Sequence, residues 1–233
     1  ICYTLYKENP SASPLCAAAG HSLGEYSALV AAGALSFEDA VQLVHKRGSY
    51  MQEAVPVGTG KMVAVLGKEI EEIESALSQV DGIAEVANIN APGQIVVAGS
   101  AEGINAFVKC LENPKVKELP VSAPFHCSLM KPAEEKLAKD LKAISLSPAT
   151  FPVYANYHAK PLTEPEEIRE ALRLQVCGRV RWVESMQAAI KDHTPSIGLE
   201  FGSGKVLSGL MKRIDRGLTC QSIGSLSDIE AFV

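Results

Sequence analysis

The feature that most constrains this chain is a Gly-x-Ser-x-Gly pattern at residues 20–24, set between two segments of different hydrophobic periodicity. The apolar run at 15–19 is typical of a buried strand, and the apolar residues of 26–34 recur at helical spacing. A strand that turns sharply into a helix at such a pattern forms a nucleophile elbow, with the serine hydroxyl at the helix N-terminus. We therefore predict that Ser22 is a nucleophile. The alternative is a glycine-rich turn that the same serine caps.

Composition and charge exclude several classes of protein. The 233 residues include 22 Lys and Arg against 27 Asp and Glu, a formal net charge of −5, and there is no basic tract. This balance argues against nucleic acid as the main partner. No run approaches the ~18 consecutive apolar residues of a membrane span, so we expect no membrane partner. The six cysteines form no C-x-x-C pair, which indicates free thiols in a reducing compartment and no metal site.

The order of predicted elements indicates an α/β protein that carries an insertion. Between residues 57 and 122 the predicted elements follow the order β-α-β-β-α-β, which is the signature of a ferredoxin-like unit. On both sides of it strands alternate with amphipathic helices, which implies a parallel sheet covered on both faces. We therefore divide the chain into a core, residues 1–56 and 123–233, and an inserted subdomain, residues 57–122. A final helix is predicted to end near Arg216.

A serine nucleophile needs a base, and His126 is the best placed of the five histidines. It lies between a predicted strand and a helix, and open parallel sheets place their sites at such strand ends. His21 adjoins the serine, but we expect its side chain to leave the turn in another direction. His45 lies within a predicted helix, and His158 and His193 lie in polar, loop-like surroundings. We therefore predict that His126 is the general base.

Several motifs together resemble the malonyl-CoA:acyl-carrier-protein transacylase family. They occur in order along the chain, at residues 20–29, 47–48, 51–56, 90–94, 124–127, 129–132 and 204–210. The resemblance implies an α/β-hydrolase-like core with a ferredoxin-like insert. It also implies an acyltransferase of fatty-acid biosynthesis that transfers malonyl from coenzyme A to acyl carrier protein. Such an enzyme uses the coenzyme A thioester as a substrate and needs no other cofactor.

The resemblance also implies roles for individual residues. Ser22 would carry the malonyl group in a ping-pong reaction, His126 would deprotonate it, and the backbone N–H of Leu23 would be an oxyanion donor. Arg47 would bind the malonyl carboxylate through two parallel hydrogen bonds. By its spacing alone, Arg47 is equally consistent with a surface residue at the end of an amphipathic helix. Gln175 matches by position the glutamine whose main-chain carbonyl orients the histidine.

Two other functions stay open on the sequence. A serine thioesterase or esterase would share Ser22 and His126 but would recruit an acid between them, for which Asp39 and Asp81 are available. A docking module for a carrier protein would keep the surface that binds the carrier protein but would have no catalytic activity.

A basic group near the C-terminus suits the phosphates of coenzyme A or an acidic carrier protein, although a solvated helix face explains each residue equally well. Its members are Lys205, Lys212, Arg213 and Arg216.

The start of the chain leads to a further expectation. Residues 1–7 have a helical pattern, and the Gly-Gln-Gly-Ser-Gln loop that supplies the family's second oxyanion donor does not occur in the 233 residues. We therefore expect a shortened chain whose transacylase activity is weak unless that segment is added. We also expect a monomer, located in the bacterial cytoplasm or in the matrix or stroma of an organelle.

Overall fold

The computed structural model describes residues 2–9 and 14–232, so Ile1 of the predicted first helix lies outside the described residues. The helices are α1 (Cys2–Glu8), α2 (Gly24–Ala31), α3 (Phe37–Glu53), α4 (Ile70–Leu77), α5 (Ala101–Cys110), α6 (Lys131–Ala143), α7 (Pro165–Leu174), α8 (Trp182–His193), α9 (Val206–Ile214) and α10 (Leu226–Phe232). The strands are β1 (Ala18–Ala19), β2 (Gly60–Leu66), β3 (Ala84–Ala91), β4 (Gln94–Ser100), β5 (Lys115–Glu118), β6 (Val153–Tyr154), β7 (Pro161–Leu162), β8 (Gly198–Phe201) and β9 (Cys220–Ile223). A 3-10 turn occupies Ser128–Met130.

Parallel strand pairs form the centre of the core. β1 pairs in parallel with β6, β7 adds to β6 in the antiparallel direction, and β8 pairs in parallel with β9. In the described residues these pairs belong to two separate sheets. Helices α2, α3, α6 and α7 pack around β1 and β6 through one buried apolar cluster, which includes Tyr26, Leu29, Leu43, Leu137 and Leu172. Because β1 and β6 are parallel, the segments that follow them leave the sheet at the same edge.

The insert is an antiparallel sheet of four strands in the order β3-β4-β2-β5. Helices α4 and α5 cover one face, where Ile73, Ile104 and Phe107 pack against Val65 and Val97. The order β-α-β-β-α-β and this strand arrangement confirm the predicted ferredoxin-like subdomain in an α/β protein. The division at residues 57 and 122 stays a prediction.

Backbone hydrogen bonds join the outer edge of the insert's sheet to the core. The Ile89 N–H donates to the Val180 carbonyl over 2.9 Å, and the Val180 N–H donates to the Ala87 carbonyl over 2.7 Å. A buried apolar cluster beside this bridge includes Ala91, Trp182, Met186, Leu210 and Met211. The edge strand β3 is therefore continued by a segment of the core, which fixes the insert against it.

β5 ends at Glu118, and Pro120, which has no N–H for a sheet ladder, explains why the strand stops there. One predicted element differs from the structure. The helix that ends near Arg216 is not the last, because β9 and α10 follow it. In the residues that the structure describes, no helix is long and apolar enough to cross a membrane.

Candidate active site

The Gly-x-Ser-x-Gly segment forms a sharp turn between β1 and α2. Ser22 has a left-handed φ of 52°, a conformation that costs roughly 1–3 kcal/mol and persists only where the surroundings enforce it. A Cβ at Gly20 would lie 1.9 Å from the carbonyl carbon of Gly24, so this position requires glycine. A Cβ at Gly24 would meet nothing within 4 Å. The turn therefore has the geometry of a nucleophile elbow, and only its first glycine is required for space.

Asn156 braces this turn, and the sequence analysis missed it. Its Oδ1 accepts a hydrogen bond from the Ser22 N–H over 2.6 Å, and its Nδ2 donates to the Gly20 carbonyl over 2.8 Å. The side chain is fully buried. Asn156 follows β6, the parallel neighbour of β1, so both segments leave the sheet at one edge. The rule that sites lie at the ends of parallel strands, applied to the segment before Asn156, would have found it.

His126 contacts the serine hydroxyl directly. Its Nε2 lies 2.7 Å from Ser22 Oγ, and its Nδ1 lies 2.9 Å from the Gln175 main-chain carbonyl. Because a carbonyl can only accept, Nδ1 carries the proton and Nε2 accepts from the serine. Burial, together with the charge of Arg47, lowers the pKa of His126 to about 3. The ring is therefore neutral in the resting site.

Contacts from the core and from the insert hold the segment around His126. The residue has a left-handed φ of 61°. The Cys127 thiol donates to the Pro124 carbonyl over 3.0 Å. The Ser128 N–H donates to the Glu85 carboxylate, on the insert's strand β3, over 3.1 Å. The insert therefore helps to fix the segment that carries the histidine.

Arg47 lies inside the site rather than on the surface, because the residue is only 6% exposed. Its Nη2 donates to Ser22 Oγ over 3.1 Å and to Gln175 Oε1 over 3.0 Å. Its Nε is buried without a hydrogen-bond partner in the described residues. The guanidinium also lies 5.8 Å from the centre of the Tyr26 ring. The site therefore holds a cation with unused donors beside the serine.

A buried acid, Glu25, completes the site and was also missed. One carboxylate oxygen accepts from the Gln175 side-chain amide over 2.8 Å and from the Asn156 N–H over 2.9 Å. The Gln175 amide donates in addition to the Ser22 carbonyl over 3.0 Å. Burial raises the pKa of Glu25 to about 7. The available signal was an acidic residue directly after the Gly-x-Ser-x-Gly pattern.

The remaining candidates divide into those beside the serine and those away from it. In the described residues the Leu23 N–H makes no hydrogen bond, so it is free to face an oxyanion. His21 turns away as expected: its Nε2 lies 2.8 Å from Asn90 Oδ1, and its ring lies 5.5 Å from that of Trp182. Asp39 bonds to Ser36 at the start of α3.

Among the residues that the structure describes, no acid takes the place of a triad aspartate beside His126. Its Nδ1 already bonds to a carbonyl, and Asp81 is exposed in the turn before β3. The described residues include no group of three or more His, Cys, Asp or Glu that could hold a metal ion. The five cysteines whose side chains are described are free thiols, and the side chain of Cys2 lies outside the description.

Three of the four basic residues near the C-terminus lie close together, and the fourth does not. Lys212, Arg213 and Arg216 line a groove of about 510 Å³ together with Pro92, whereas Lys205 lies at the other end of α9. Arg213 Nη2 donates to the Pro92 carbonyl over 2.8 Å.

Comparisons with known proteins agree with this geometry. The model of the family described as "Acyl transferase domain" matches residues 16–213. Malonyl CoA-acyl carrier protein transacylase of Bacillus subtilis is 45% identical over 92% of this chain and 69% of its own length. The enzyme of that name from Haemophilus influenzae is 43% identical over 98% of this chain and 75% of its own length.

Solved structures with the same fold have names that describe malonyl transfer. An acyl carrier protein S-malonyltransferase from Vibrio cholerae superposes with a TM-score of 0.94 at 38% identity, covering 100% of this chain and 77% of that one. A malonyl-transacylase solved in complex with a type II polyketide acyl-carrier protein superposes with a TM-score of 0.94 at 39% identity. This match covers 99% of this chain and 75% of that one.

Proposed function

The chain belongs to the acyl transferase domain family, and on that premise we propose that it moves a malonyl group from coenzyme A to the phosphopantetheine thiol of acyl carrier protein. One observation carries the proposal. Ser22 Oγ lies 2.7 Å from the neutral nitrogen of His126 and 3.1 Å from the buried guanidinium of Arg47. A nucleophile, its base and a carboxylate-binding cation thus meet at one atom. The pathway it serves is fatty-acid biosynthesis.

In the first half-reaction Ser22 Oγ attacks the thioester carbonyl while its proton passes to Nε2 of His126. The Leu23 N–H, at the N-terminal end of α2, donates to the oxyanion. The intermediate collapses, the coenzyme A sulfur leaves, and it takes the proton from His126. In the second half the pantetheine thiol gives His126 its proton and attacks the ester, and Ser22 recovers its hydroxyl. The Gln175 carbonyl orients the ring through Nδ1 in both halves.

Arg47 selects an acyl group that carries a carboxylate. A guanidinium in a buried site binds a carboxylate through charge-assisted hydrogen bonds, and an uncharged acyl chain offers no such partner. The charge of Arg47 is also one of the causes that lower the pKa of His126. When the malonyl carboxylate offsets that charge, the pKa of His126 rises, so the correct substrate strengthens its own base.

Three further points belong to this proposal. The reaction uses coenzyme A only as a substrate thioester and needs no other cofactor. The groove lined by Lys212, Arg213 and Arg216 faces the acidic carrier protein or the phosphates of coenzyme A. The enzyme works in a reducing compartment such as the bacterial cytoplasm, which agrees with its free thiols.

Intact-mass measurement after incubation with malonyl-CoA tests the proposal. We expect one malonyl ester on Ser22 and none in Ser22→Ala. Label that persists in Ser22→Ala, or that maps to Cys127, would contradict the assignment. Burial raises the pKa of Cys127 to about 12, so its thiolate is scarce. Rapid release of free malonate without carrier protein would instead support the thioesterase.

A further inference from the structure

Two charged side chains are buried beside the serine without touching each other. Arg47 and Glu25 are 6% and 2% exposed, and they form no direct ion pair in the described part of the chain. A buried guanidinium without a countercharge is costly, whereas a direct carboxylate partner would occupy the donors that a substrate carboxylate needs.

The Gln175 amide lies between these two charges. Its Oε1 accepts from Arg47 Nη2 over 3.0 Å, and its Nε2 donates to Glu25 over 2.8 Å. The amide dipole thus points its oxygen at the cation and its nitrogen at the acid. A main-chain carbonyl alone, which any residue has, would be enough to orient His126. The Gln175 side chain therefore has a role separate from that of its main-chain carbonyl.

Some of the hydrogen-bond donors of Arg47 are used within the site, and others are not. Nη2 makes one hydrogen bond to Gln175 and one to Ser22 Oγ, the atom that becomes acylated. Nε and Nη1 make no hydrogen bond in the described residues. One nitrogen, Nη2, therefore contacts both Gln175 and the serine, and the two other nitrogens of the guanidinium keep unused donors.

We propose that Glu25 and the Gln175 side chain form an amide-relayed ion pair with Arg47, which holds the guanidinium in place and keeps its other donors free for the acyl carboxylate. Glu25 and Gln175 are positioning residues in this scheme, which rests on the proposed function. They set the preference for malonyl over acetyl without contacting the acyl group.

The scheme predicts a pH-dependent preference. The titratable groups that face Glu25 are Arg47 from α3 and Tyr26 from its own helix, and burial raises the pKa of Glu25 to about 7. Below that pH Glu25 is neutral and the relay lacks its countercharge, whereas above it the carboxylate completes the ion pair and holds the guanidinium in place. The ratio of kcat/KM for malonyl-CoA to that for acetyl-CoA should therefore rise about three- to tenfold as Glu25 ionises. Ionisation of the common coenzyme A part cancels in this ratio.

Two variants test the relay through this ratio. Gln175→Glu keeps the main-chain carbonyl but places a carboxylate directly on Arg47, so we expect the ratio to fall by about 30-fold or more. Glu25→Gln keeps an acceptor and removes the charge, so we expect a ratio that no longer changes with pH. Glu134→Gln is the matched control, because Glu134 is 4% exposed and pairs with Lys131 and Arg173 away from the site. Its ratio should equal that of the wild type.

The outcomes are separable. An equal loss of malonyl and acetyl transfer in Gln175→Glu, with a soluble folded protein, overturns the relay. So does a pH-dependent ratio in Glu25→Gln, which decides the matter if Gln175→Glu fails to fold. A third outcome concerns the proposed function itself. If Arg47→Ala loses malonyl and acetyl transfer equally, then Arg47 does not recognise the carboxylate, and the proposed function is refuted independently of the relay.

Discussion

Replacing Arg47 with alanine should separate malonyl transfer from acetyl transfer. The guanidinium is buried, and the malonyl carboxylate would bind it out of contact with water. Losing one partner of such a buried charged pair costs roughly 2–5 kcal/mol. Since each 1.4 kcal/mol is tenfold, malonyl transfer should fall by about 30-fold to several thousand-fold.

Acetyl transfer should fall far less, because two effects of the same change oppose each other. The Nη2 hydrogen bond to Ser22 Oγ is lost, which slows attack. The charge that lowers the pKa of His126 is also lost, so the base becomes stronger. The pKa of Glu25 rises because Arg47 had lowered it, so Glu25 is neutral at pH 7 and no buried charge is left unpaired. We expect acetyl transfer within about tenfold of wild type.

The assay is rapid-quench measurement of acyl-enzyme formation from malonyl-CoA and from acetyl-CoA, with Arg47→Lys as the comparison. Lysine keeps the charge but not the planar pair of donors, so it should recover only a small part of malonyl transfer. Equal losses for both acyl groups would refute the reasoning and give Arg47 a structural role.

The other predictions concern the turn around the serine. Asn156→Ala should leave the Ser22 N–H and the Gly20 carbonyl unpaired, at about 1–3 kcal/mol each in the free energy of unfolding; an unchanged denaturant midpoint would contradict this. Gly20→Ala should destabilise the fold and abolish acylation, because its Cβ would meet the backbone at 1.9 Å. Gly24→Ala, whose Cβ meets nothing within 4 Å, should melt at or slightly above the wild-type temperature. If both glycine variants behave alike, the steric account of the elbow is wrong.

The sequence predicts those parts of the site that depend on local pattern. The elbow and the ferredoxin-like order both follow from local patterns, and the structure contains both of them. The position of Gln175 came from a family resemblance. Its contacts with Arg47 and Glu25 span 128 and 150 residues of chain.

Contacts of that range leave no periodic trace in the sequence. Asn156 shows the same limit, since its bond to Ser22 spans 134 residues. The pairing of β1 with β6 brings the two segments together, and each of these strands is two residues long. Strand β9 and helix α10 were missed because short elements near a chain end carry few apolar repeats.

The bridge between Val180 and strand β3 has a practical consequence for chimeric enzymes. An insert excised from this chain, or exchanged with that of a relative, would lose the backbone partners at Ala87 and Ile89. Its outer strand would then offer unpaired peptide groups to other molecules, which favours aggregation. A transplant that keeps its solubility should therefore carry the short segment around Val180 together with the insert, even though Val180 follows Ile89 by 91 residues in the chain.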